Sequence, residues 1–79
     1  MNIVNELNET LKFLVTGLHT IVNKYDGYAV ISLAKRGKLS SIVVTNNEIS
    51  YKDNSYNIKG GAVNKGMLAV QDIIISDFK

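Results

Sequence analysis

Apolar residues recur at helical spacing along the first third of the chain. Val4, Leu7, Leu11, Leu14, Leu18, Ile21 and Tyr25 are separated alternately by three and four positions, an unbroken heptad stripe. The spacing predicts one amphipathic helix over residues 3–25, with Ile3, Val15 and Val22 widening its apolar side. Lys24 in the last turn suits the negative end of the helix dipole, and Gly27 is placed to end the helix in a left-handed conformation. Two residues fit this helix poorly. Gly17 falls mid-helix, where glycine costs about 1 kcal/mol against alanine. Phe13 lies two positions past Leu11, on the side away from the stripe.

From Tyr28 the apolar period changes to two. This predicts strands at about 28–34, 39–45, 48–52 and 55–59, separated by Lys35-Arg36-Gly37-Lys38, Asn46-Asn47 and Asp53-Asn54. Two-residue turns at Asn46-Asn47 and Asp53-Asn54 set Val44 opposite Ile49, Ile42 opposite Tyr51, Tyr51 opposite Tyr56 and Ile49 opposite Ile58. A loop of two or four residues at 35–38 sets Ile31 opposite Ile42 and Ala29 opposite Val44. One side of the sheet then stays apolar through three turns, from Ala29, Ile31 and Leu33 to Tyr56 and Ile58. A slip of one residue would invert a whole strand, so this agreement specifies an antiparallel meander.

Residues 60–66 read as a glycine-rich loop. The last segment, 67–76, carries the β-branched run Ile73-Ile74-Ile75, which favours a fifth strand. Met67, Val70, Ile74 and Phe78 would alternatively line one side of a short helix. The fold class expected is α+β: an N-terminal helix packed on a four- to five-stranded antiparallel meander or small barrel. That is an SH3-like or Sm-like outline by analogy of architecture alone, since no motif of either family is present.

With 79 residues, 46% of them apolar, the chain is expected to form a single domain with one modest core. No stretch is long and apolar enough for a membrane span, and the acidic Glu6 and Glu9 near the start do not resemble a targeting peptide. A cytoplasmic protein is the expectation. Nine asparagines and eight lysines point to an AT-rich genome, such as that of a low-GC bacterium or its phage. A phage or mobile-element accessory or structural protein fits that setting.

The residues available for chemistry are few. Cysteine is absent and His19 is the single histidine, so cysteine and two-histidine metal sites are excluded, and no cofactor motif is recognisable. No spacing joins His19 to a serine and a carboxylate. Asp53-Asn54-Ser55-Tyr56-Asn57 begins like a calcium loop but has Ile58 where the obligatory glycine belongs. Gly60 to Gly66 lacks the Gly-Lys-Ser/Thr order of a phosphate loop. An enzyme is therefore not expected.

Two surface features remain. Phe13 on the helix, with Val30, Leu39 and Val43 on the outer face of the sheet, is apolar surface that the core does not use, and it predicts a protein interface or self-association. Charge supplies the alternative: residues 27–67 carry a net +4 while each flank carries −1. Lys35, Arg36, Lys38, Lys52 and Lys59 in the segment 35–65, with Tyr28 as a stacking platform, would serve a small nucleic-acid-binding barrel.

Overall fold

The computed structural model describes residues 2–59 and 63–79. In chain order the elements are α1 (Asn2–Leu14), β1 (His19–Tyr25), β2 (Tyr28–Lys35), β3 (Lys38–Thr45), β4 (Glu48–Tyr51), β5 (Asn54–Asn57) and α2 (Val63–Asp77). The strands form one open antiparallel sheet in the order β1-β2-β3-β4-β5, so every neighbour in space is a neighbour in sequence. Both helices lie on the same side of it. α1 covers β1 and β2, α2 covers β4 and β5, and the helices touch each other.

The central hairpins follow directly from the alternation. β2 and β3 pair Ala29 with Val44 and Ile31 with Ile42, and β3 and β4 pair Val44 with Ile49 and Ile42 with Tyr51. Ala29, Ile31, Leu33, Ile42, Val44, Ile49, Tyr51 and Ile58 are all buried beneath the helices. The 35–38 connection closes as a two-residue turn, Arg36-Gly37, with both residues at positive φ. At Asn46-Asn47 the turn is held by Thr45 Oγ1, which accepts from the backbone N–H of Asn47 at 3.1 Å and of Glu48 at 3.0 Å.

Three expectations need correction. The helix does not run over 3–25. It stops at Leu14, and residues 19–25 form the first strand. Gly17, not Gly27, is the stop: it adopts φ +83°, which an L-residue enters only at a cost of about 1–2 kcal/mol. Val15 still closes a last turn onto Leu11, and Leu18 then bonds back to Val15. Beyond it Thr20-Ile21-Val22 is a β-branched run that favours a strand. Gly27, at φ +85°, sits in the turn that joins β1 to β2. Val4, Leu7, Leu11 and Leu18 of the heptad stripe are buried, whereas Leu14, Ile21 and Tyr25 are exposed.

The second correction concerns residues 67–76, which are helix and not strand. Met67, Val70, Ile74 and Phe78 do form its buried side, joined by Gln71. Geometry explains why helix wins over the β-branched run. Strands lie about 4.8 Å apart and helices need about 10 Å, so a five-stranded sheet needs two helices to seal one face. α1 alone would leave Ile49, Tyr51 and Ile58 open to water. Gly66 lets α2 lie close: a β-carbon there would sit 2.8 Å from Ile58 Cγ2 and 3.6 Å from Tyr56 Cβ. Of the loop expected at 60–66, residues 60–62 fall outside the described residues and 63–66 open α2.

The third correction is a register. The last turn is Lys52-Asp53, so Tyr51 pairs with Asn54 and Ile49 with Tyr56. This moves the pairing by two residues, which preserves the inward and outward faces. The fifth strand ends at Asn57. Ile58 remains buried beyond it, with its N–H donating to Asn47 O at 2.8 Å.

Candidate functional site

The helices seal one face of the sheet and leave the other open. In β2 and β3 the open face carries Tyr28, Val30, Ser32, Ala34, Leu39, Ser41 and Val43, as the alternation predicts. β1 adds His19, Ile21, Asn23 and Tyr25, which the longer helix had hidden from the reading of the sequence. Four of the large exposed apolar side chains belong to this face: Ile21, Tyr25, Tyr28 and Leu39. Val30 and Val43 lie directly opposite each other at its centre, and Ala34 lies opposite Leu39. Tyr25 and Tyr28 stack at 4.9 Å between ring centroids, at the end of the β1–β2 hairpin. At the other end Ile21, Ala34 and Leu39, with His19 and Ser32, border an apolar depression of about 310 Å³.

Of the four apolar residues singled out in the sequence, Val30, Leu39 and Val43 come together here. Phe13 does not. It is 85% exposed on α1, on the opposite layer, with the buried Leu7 and Leu11 turned toward the sheet.

Three of the five cations singled out in the sequence are drawn to the helical layer. Lys35 and Lys38 alternate with the outward residues, so both turn to the helical side of the sheet. Lys35 Nζ donates to Phe78 O at 2.9 Å, and Lys38 Nζ donates to Asp77 O. These carbonyls end α2, where the helix dipole favours positive charge. Lys52, at φ 55° in its turn, also reaches α2 and pairs with Asp77 Oδ2 at 2.8 Å. Arg36 occupies the exposed β2–β3 turn, and Lys59 is exposed beyond β5. Three of the five ammonium and guanidinium groups thus hold the end of a helix.

Tyr51 completes this cluster from below. Its ring is buried, and its hydroxyl donates to Asp77 Oδ2 at 2.7 Å. The hydrogen bond from Lys52, and then that from Tyr51, holds the Asp77 carboxyl below its ordinary range. The hydrogen bond to Asp77 raises Lys52. Burial foremost raises the Tyr51 phenol, with Asp77 adding to it. All three shifts favour one protonation state: carboxylate, ammonium and neutral phenol. Such a group is a static clamp with no base left free to take a proton.

Among the described residues no three His, Cys, Asp or Glu side chains come together as a metal site would require. Among them, too, no helix is long and apolar enough to cross a membrane. Comparison with protein-family models, with curated proteins and with solved structures finds no match to this chain.

Proposed function

We propose that this chain is a small non-enzymatic protein-binding or assembly module that docks through the open face of its sheet. The observation that carries the reading is the contrast across the sheet: one face is sealed by two helices, and the other displays Ile21, Tyr25, Tyr28 and Leu39 to solvent around the half-buried Val30 and Val43. Contiguous apolar surface of this kind on a small protein marks an interaction site. A phage or mobile-element accessory or structural role is compatible with it. Nucleic-acid binding through Lys35, Arg36, Lys38, Lys52 and Lys59 draws less support, because Lys35, Lys38 and Lys52 spend their charge on the end of α2.

A photo-reactive side chain placed at Leu39 or Val43 tests the proposal. In cells of the natural host it is expected to cross-link to protein, and the same group at Phe13 is expected to cross-link far less. Equal labelling from Phe13, or none from the sheet, would remove the reading.

A further inference from the structure

The chemistry of the open face narrows the choice of partner, on the footing that this face docks protein at all. We infer that the partner is a second copy of this chain, stacked sheet on sheet about a two-fold axis.

Charge is the first reason. A two-fold contact sets a surface against itself, so a patch carrying net charge of one sign would face the same sign. The open face avoids this. Lys24, Lys35 and Lys38 all fall at strand positions that turn to the helical side. Glu48, in the short fourth strand, is the one carboxylate among the open-face strand residues described. The remaining positions are apolar, aromatic, hydroxyl or amide, with His19 at one margin.

Shape is the second. Leu39 is 78% exposed and stands beside the 310 Å³ depression bordered by Ile21 and Ala34. A projecting leucine and a neighbouring apolar hollow on one surface are self-complementary. Under a two-fold operation each Leu39 enters the hollow of the other copy, forming two equivalent contacts.

Area is the third. At about 4.8 Å per strand, the three strands of seven to eight residues give a face about 25 Å long and the two of four residues extend it sideways over about 13 Å of that length. That is roughly 500 Å² in projection, so two copies would bury about 1,000 Å² or more, near the size at which specific interfaces begin. Two sheets stacked about 10 Å apart, with helices on both outer surfaces, make a four-layer particle with each apolar face covered.

Sedimentation equilibrium of the purified chain, from micromolar to millimolar concentration, tests this. The expected result is a mass that climbs from 8.7 kDa toward twice that value. Leu39→Asp is expected to move the midpoint to about tenfold or more higher concentration, with the circular dichroism unchanged. Ile21→Lys, at a second exposed position, repeats the test should Leu39→Asp fail to fold. Phe13→Ser on the helical layer is expected to leave the dimer intact. A monomer at every concentration overturns the inference, as does dissociation by Phe13→Ser but not by Leu39→Asp. If the monomer still cross-links to another protein from position 39, the docking face stands and only the second copy is wrong. If it cross-links to nothing, both fail.

Discussion

Val30 and Ile31 are adjacent in β2 and similar in chemistry, yet they have opposite environments. Ile31 is fully buried under the helices, and Val30 looks out over the open face. The same holds for Ile42 and Val43 in β3. Nothing in the side chains separates the two sets; what separates them is whether a helix lies above. An aliphatic residue in a strand therefore reports the strand, and the number of helices available decides which face becomes core. With two helices on one side, the second apolar face is left uncovered.

Substitutions on the two faces should expose this difference, beginning with the largest effect. Ile42→Ala removes a fully buried side chain from the centre of the sealed face. It is expected to cost about 2–5 kcal/mol, much of what a domain this small possesses. Urea denaturation followed by circular dichroism measures it, and a loss under about 1 kcal/mol would mean the covered face is not the core.

Gly66→Val adds bulk where α2 crosses Ile58. With the first added carbon 2.8 Å from Ile58 Cγ2, the expected cost is about 1–3 kcal/mol. Combining it with Ile58→Ala should give a total well below the sum of the single losses, because the second change makes room. Strict additivity would argue against the close approach.

Tyr51→Phe removes the hydroxyl beneath Asp77 and is expected to cost about 1 kcal/mol. Asp77→Asn probes the same clamp through pH. The folded carboxyl lies below its ordinary value, so its contribution is present above the unfolded pKa and is lost as pH falls through the folded one. Lys52 and Tyr51 are raised in the fold, so their contribution is present below their unfolded values and fades as pH rises through the folded ones. The stability gap between wild type and Asp77→Asn should thus be flat through neutral pH and narrow at both extremes. A gap that persists in strong acid would show that the carboxylate charge is not what holds the cluster. Smallest of all, Leu39→Asp on the open face is expected to shift monomer stability by no more than about 0.5 kcal/mol.

The central meander was legible because its turns and alternation constrain each other. With Arg36-Gly37 and Asn46-Asn47 as two-residue turns, every pairing from Tyr28 to Tyr51 is determined. Residues 15–25 were not legible from period alone. Ile21 and Tyr25 are four apart, which puts them on one side of a helix and equally on one side of a strand. Gly17 and the run Thr20-Ile21-Val22 were the available signals against a continuous helix. For residues 67–76 local preference pointed to a strand, and the width of the sheet overruled it. The candidate surface followed the same division. Val30, Leu39 and Val43 could be read from alternation, whereas Ile21 and Tyr25 were concealed by the misjudged helix. Phe13 was separated from them only by the layering of the fold.

The lysines that secure α2 also bear on the order in which the chain assembles. The hairpins join sequence neighbours and close short loops, which favours fast formation. Lys35 reaches Phe78 across 43 residues and Lys38 reaches Asp77 across 39, so these contacts are made only after the last helix has returned to the second hairpin. The C-terminal helix is then expected to close last, over strands that are already paired. Lys35→Met and Lys38→Met should chiefly quicken unfolding and leave the refolding rate almost unchanged. A chevron in which the refolding arm slows instead would place that helix in the folding nucleus and reverse that order.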